Sequence, residues 1–240
     1  MLSIVLPCYN EGQKLIQSIN EIVLYNKDIN LKDYEIIIVN DGSKDDTLKY
    51  IKKVEKDFPN IVRYITYETN QGKGYAVKQG ILNAEGDYVL FMDVDLSTNL
   101  SAIKTTLDLI KKKKPYIIIG SRRLKKSNIL KPQGFIRKFI GNGCKFYTNL
   151  KLHLSISDTQ CGFKCFKTDI AKKLVNKQTI NRWAFDAELL YIAKLNKIKI
   201  YEIPVTWVND SDSRVSPMSS SIQFMKDLSK IKKNKKNYYF

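Results

Sequence analysis

Five short apolar runs, "SIVLP" 3–7, "YEIIIVND" 34–41, "IVRYITYE" 61–68, "DYVLFMDVD" 87–95 and "PYIIIGS" 115–121, each break off into a polar or glycine-rich turn. Between them lie helix-compatible stretches: 12–27, with Leu15, Ile19, Ile22 and Val23 as its apolar positions, then 45–57 and 73–84. Near-continuous apolar strands alternating with helices require a parallel sheet covered on both faces. The expected architecture is α/β and doubly wound, with ligands bound in the crevice beyond the carboxyl ends of the strands.

The length of 240 residues suits one domain with a C-terminal appendage, divided here as 1–220 and a basic amphipathic tail over 221–240. Against 24 Asp+Glu stand 41 Lys+Arg, a formal charge of +17, so anionic partners are expected: phosphates, nucleic acid or an acidic membrane face. Cys8, Cys144, Cys161 and Cys165 are too scattered for a disulfide framework, and Cys161 and Cys165 lack the further ligands of a zinc site. Reduced thiols in the cytosol are expected. No window approaches the roughly 18 apolar residues of a membrane span. The opening "MLSIVLPCYNEG" has no basic leader and meets Pro7 and Glu11 too early for a signal peptide.

The fourth run ends by setting two carboxylates, Asp93 and Asp95, one residue apart. Side chains at i and i+2 of a strand point to the same side, and a bound divalent cation is the usual remedy for two carboxylates in close approach. A helix N-cap with a solvated turn is the competing reading, since "DLST" could open a helix near 101–112. Other strand ends supply context. "VNDGSKDDT" 39–47 puts Asn40, Asp41, Gly42 and Ser43 in a tight turn, and "LPCYNEG" 6–12 does the same after the first strand. "TNQGKGYAVKQG" 69–80 flanks Lys73 with Gly72 and Gly74, which lets backbone approach a ligand while an ammonium reaches its phosphates.

In these four motifs, taken in order, the chain resembles the GT-A glycosyltransferases of family 2. The later segments "DTQCGFKCF" 158–166, "RWAFDAELLYIA" 182–193 and "EIPVTW" 202–207 are similar to the dolichyl-phosphate β-glucosyltransferase branch, near the mannose synthases and bacterial polyprenyl-phosphate enzymes. The resemblance spans about residues 2–230. It implies a GT-A fold, a nucleotide-sugar donor with UDP-glucose favoured over GDP-mannose, Mg²⁺ or Mn²⁺, and a polyprenyl (dolichyl) monophosphate acceptor. It also implies that Pro7, Tyr9, Glu11 and Asp41 line the nucleoside pocket, that Asp93 lies near the nucleotide, and that Asp95 is the principal metal ligand of the pair. Asp158 and Gln160 are implied to face the sugar and metal. Two departures stand out. Mannose synthases of this type commonly carry Gln where this chain has Ser97, and eukaryotic glucosyltransferases usually carry a membrane anchor ahead of the first strand, where this sequence begins.

A polyprenyl monophosphate is already largely dianionic near neutrality, its second pKa being about 6, so it needs steering more than deprotonation. A sugar hydroxyl would demand a base within about 3 Å, and Asp158 is the candidate. For steering, arginine's planar fork suits phosphate oxygens. Arg122, after the fifth run, and Arg137 in "GFIRKFIG" are assigned to the acceptor phosphate or the donor diphosphate. Trp183 and Asp186 are read either as donor-sugar contacts or as a core aromatic with a buried helix cap.

Over 128–151 the residues Phe135, Ile136, Phe139, Ile140, Phe146, Tyr147 and Leu150 recur at roughly helical spacing, interleaved with Arg137, Lys138, Lys145 and Lys151. The tail sets Ile222, Met225, Leu228 and Ile231 beside six lysines between 226 and 236. Such basic amphipathic surfaces can lie in a lipid headgroup layer. The expectation is peripheral docking on the cytosolic face of an anionic membrane, that of the endoplasmic reticulum if the source is eukaryotic, with room for a separate membrane-anchoring subunit. The rival readings are a saccharide hydroxyl as acceptor and a basic nucleic-acid-binding module. The first lacks the Q/R-x-x-R-W tract, and the second lacks zinc-finger spacing and an RNP-like strand.

Overall fold

The structure, a computed structural model, describes residues 1–131, 135–208 and 217–240, and of residues 135–140 and 217–220 the backbone alone. The five apolar runs form β1 (Leu2–Cys8), β2 (Tyr34–Asp41), β3 (Val62–Tyr67), β4 (Tyr88–Met92) and β5 (Ile117–Ser121). Between them run α1 (Lys14–Asp28), α2 (Thr47–Asp57), α3 (Lys73–Leu82) and α4 (Ser101–Lys113). Successive side chains of a strand point to opposite faces, and both faces here are covered. Ile4, Leu6, Ile36, Ile38 and Leu90 pack with Leu15, Ile19 and Ile22 of α1, Ile51 and Val54 of α2, and Ile103 of α4. Val5, Ile37, Val39 and Phe91 turn the other way, toward Ala76 and Val77 of α3.

The second half adds β6 (Asn128–Lys131), α5 (Phe135–Leu152), β7 (Phe163–Lys167), α6 (Thr168–Lys177), α7 (Phe185–Leu195), β8 (Ile200–Pro204), β9 (Thr206–Val208) and α8 (Pro217–Lys233). The main sheet has seven strands in the order β3-β2-β1-β4-β7-β5-β8, and β6 pairs with β9 in a small separate ladder. Every neighbour in the main sheet is parallel except β7, which runs antiparallel to both β4 and β5. "FKCFK" is not among the five runs because Lys164 and Lys167 interrupt its apolar character.

Helix α7 is buried from Phe185 to Ala193, as expected of a helix that is apolar nearly all round. Helix α8 packs against α5 and α7 and sends Phe224, Leu228 and Ile231 into the core, followed by Tyr238. The fully buried Glu188 carboxylate accepts the Tyr238 hydroxyl at 2.5 Å and the Thr179 and Ile180 amides at 3.0 and 2.8 Å. The stripe read on the tail therefore divides by face: Leu228 and Ile231 are core, whereas Ile222 and Met225 are exposed. On α5, Phe146 and Leu150 stand 70% and 60% exposed, and Tyr147 packs against the core. Phe135, Ile136, Arg137, Lys138, Phe139 and Ile140 lie outside the residues whose side chains are described. No described helix is long and apolar enough to cross a membrane.

Candidate active site

The carboxyl ends of the parallel strands share one edge, and β7, running the other way, begins there: Met92, the last residue of β4, pairs with Phe163. The turn 158–162 thereby meets the Asp-x-Asp pair. The Asp93 amide donates to the Gly162 carbonyl at 3.1 Å, and a Cβ at Gly162 would fall 1.9 Å from Asp93 Oδ2. Only glycine lets the carboxylate lie this close to the turn. Asp93 Oδ1 is ion-paired with Lys73 Nζ. Asp95 is exposed, with Oδ1 accepting the Ser97 amide at 2.8 Å. Partial desolvation and the neighbouring Asp93 charge push the Asp95 carboxyl above its ordinary range.

Lys73 opens α3, and Asp41 sets the loop before it. Asp41 Oδ1 accepts the Gln71 amide at 2.8 Å, and Oδ2 accepts the Gly72 amide at 2.9 Å and the Asn70 side chain at 2.8 Å. The Asp41 carboxylate is buried beneath this loop and is committed to it. Gly72 adopts φ +103°, and a Cβ there would meet the Asn181 carbonyl at 2.6 Å, so the loop also abuts the segment ahead of α7. Gly42, at φ +66°, completes the turn after β2. Burial pulls the Lys73 ammonium down, and Asp93 and then Asp186 more than offset it, leaving the pKa raised.

Asp158 and Arg122 form a clamp across the same edge. Arg122 donates from Nε at 2.7 Å, from Nη2 at 3.0 Å and from its backbone amide at 3.0 Å to the two Asp158 oxygens. Its guanidinium lies 5.3 Å from the Trp207 ring centroid. Burial pushes the Asp158 carboxyl up, and the Arg122 hydrogen bonds and charge hold it down to about 2. A carboxylate held there is a weak base, so the general-base reading of Asp158 gives way to that of a clamp holding Arg122.

Gln160 is exposed beside this turn, and Trp183 is 40% exposed with Lys73 Nζ 6.0 Å from its ring centroid. Asp186, in the first turn of α7, is buried and ion-paired with Lys164 at 2.6 Å. Pro7 sits near the end of β1, and Tyr9 (39% exposed) and Glu11 follow it. That loop is braced to the β2 turn: the Asn10 amide donates to Ser43 Oγ at 2.9 Å, and Asn10 Oδ1 accepts the Lys44 amide at 2.8 Å. Arg137 falls outside the described side chains. The structure therefore brings Lys73, Asp93, Asp95, Asp158 and Arg122 to one edge with Trp183 nearby. Sequence reasoning did not find Lys164. The signal available was a lysine set inside an apolar strand, just after the glycine that seats Asp93.

Among the described residues no three Asp, Glu, His or Cys side chains gather as a metal-holding group. The two carboxylates of the pair are hard oxygen donors, and Mg²⁺ is usually held by one or two carboxylates plus substrate phosphates, so the pair fits such an ion.

A family model described as glycosyl transferase family 2 matches residues 3–175. The dolichyl-phosphate β-glucosyltransferase of Dictyostelium discoideum is 36% identical over 240 residues, covering 96% of this chain and 73% of that protein. The human protein of that name is 35% identical, covering 95% of this chain and 73% of its own. Among solved structures, glucosyl-3-phosphoglycerate synthase from Mycobacterium tuberculosis in complex with UDP is similar in fold, with TM-score 0.66 at 17% identity over 97% of this chain and 80% of that one.

Proposed function

The chain belongs to glycosyl transferase family 2, and on that premise we propose that it is a dolichyl-phosphate β-glucosyltransferase, moving glucose from UDP-glucose onto a dolichyl monophosphate with inversion at the anomeric carbon. The observation that carries this reading is that the likeness to proteins of that name runs past the end of the family match, through α7 and into the tail.

Breaking the sugar–diphosphate bond leaves negative charge on the departing nucleotide. Lys73, at the start of α3 beside Asp93, is the ammonium assigned to that charge, together with the helix N-terminus. Asp93 and Asp95 would hold Mg²⁺ or Mn²⁺, which when bound supplies electrostatic stabilisation of the leaving diphosphate. The acceptor phosphate is its own nucleophile and needs no base. Arg122, fixed by Asp158 yet partly open to solvent, offers a preorganised fork for its oxygens. Tyr9 and Glu11, on the loop braced through the Asn10 and Gly12 amides, are the residues assigned to the nucleoside.

Access to a lipid substrate comes from the face of α5 and α8. Phe146, Leu150, Ile222 and Met225 are exposed there, and Lys226, Lys230, Lys233, Lys235 and Lys236 are exposed along the tail. Exposed apolar side chains among lysines suit an anionic leaflet, each lysine contributing up to about 1 kcal/mol. The enzyme docks peripherally on the cytosolic face, with or without a separate anchoring subunit. Donor choice is tested by thermal unfolding with Mn²⁺. UDP-glucose near a hundredfold its Kd raises Tm by about 5 °C or more, and GDP-mannose does not; the reverse order would replace the donor.

A further inference from the structure

Lys164 is fully buried in the middle of β7, between β4 and β5, where an apolar residue would pack at no electrostatic cost. Its ammonium is 2.6 Å from Asp186 Oδ1 and donates to the Cys161 carbonyl at 2.6 Å, over the Phe91 ring at 5.4 Å. Both contacts lead to the donor side of the site. Asp186 follows Phe185 at the start of α7, and a Cβ at Gly74, next to Lys73, would fall 2.7 Å from the Phe185 Cβ, so the first turns of α3 and α7 lie against each other. Lys73 in turn pairs with Asp93. Cys161 is the residue before Gly162, whose carbonyl and missing Cβ seat Asp93. From the interior to the open edge the charges alternate: Lys164, Asp186, Lys73, Asp93.

We propose that Lys164 is a positioning residue for the donor diphosphate: through Asp186 it sets where the Lys73 ammonium stands, and through Cys161 it fixes the turn that carries Asp93. A neutral side chain at 164 leaves Lys73 as the cation that Asp186 draws on, and the ammonium shifts inward, away from the nucleotide. Replacing both members of the inner pair by neutral isosteres removes the pull but also removes the buried carboxylate at the start of α7, against which the start of α3 lies. Either way the donor meets a misplaced ammonium. A purely structural pair behaves differently, because neutralising both members leaves no unpaired buried charge and restores a normal site.

This inference rests on the UDP-glucose reading, and a binding cycle separates the two. Wild type, Lys164→Met and Lys164→Met with Asp186→Asn are titrated calorimetrically with UDP-glucose in Mn²⁺, each also in a Lys73→Met background. Both inner-pair variants are expected to weaken binding about tenfold where Lys73 is present and less than about twofold where it is absent, the mark of groups that act as a unit. Wild-type affinity in the doubly neutral variant, or penalties of the same size in both backgrounds, would overturn the proposal. So would a doubly neutral variant that does not fold, since the loss would then fall on the whole fold and not on the donor site. A wild-type chain that binds no UDP-glucose removes the donor reading and this inference with it, whereas wild-type binding with unaltered variants removes this inference alone.

Discussion

Asp95 stands exposed at the mouth of β4 with one oxygen held by the Ser97 amide, so its removal touches chemistry far more than folding. Asp95→Ala is expected to lower glucose transfer by about a hundredfold or more, with a stability change within about 1 kcal/mol; near wild-type turnover would remove the metal-ligand assignment. Asp158 makes a prediction in pH. Its folded pKa lies below the ordinary 3.8, at about 2, so its stabilisation is complete above about pH 4 and is lost as pH falls through 2. The shift corresponds to about 2 kcal/mol. The stability gap between wild type and Asp158→Asn, followed by urea unfolding, should be widest above pH 4 and narrow toward pH 2; a gap independent of pH would contradict the ion-pair account. Asp93 and Asp95 were legible because two carboxylates ended an apolar run. The partnership of Asp158 with Arg122, at a separation of 36 residues, was not, because it depends on how β7 enters the sheet. The commitment of Asp41 to the 70–72 loop was hidden for a similar reason: a turn carboxylate reads the same whether it faces ligand or distant backbone amides.

At the scale of elements, the five strands whose apolar runs were near-continuous could be read directly, and so could α1 to α3, with α4 entering only through the competing N-cap reading of the Asp pair. Strand β7 could not, because burial on both faces does not reveal direction and its two lysines imitate a surface segment. Its antiparallel insertion is what carries the 158–162 turn to the same edge as Asp93 and Asp95. The pairing of α5 with α8 has a separate consequence. Phe146 and Leu150 lie one helical turn apart on α5 and are largely exposed, so replacing both by serine removes exposed apolar area and no core contact. The double variant should lose most of its co-sedimentation with anionic liposomes at low salt and keep its affinity for UDP-glucose. Unchanged sedimentation would remove this face as the docking surface.

For the whole molecule, the formal charge of +17 draws the enzyme toward anionic surfaces and anionic substrates alike, and the fold divides the work. One edge of the sheet gathers Lys73 and the Asp-x-Asp pair, the groups proposed to meet the donor, with the Arg122–Asp158 clamp beside them. The α5–α8 face carries the exposed apolar side chains suited to lipid. A lipid that presents a ready-made phosphate nucleophile needs no general base, which agrees with an Asp158 carboxylate that Arg122 holds as an anion. The most direct measurement offers radiolabelled UDP-glucose and Mn²⁺ to the enzyme with dolichyl phosphate in one arm and phosphate-free dolichol in the other. Label is predicted to enter the lipid fraction with dolichyl phosphate alone. Equal labelling of dolichol, or none of dolichyl phosphate, would contradict the account.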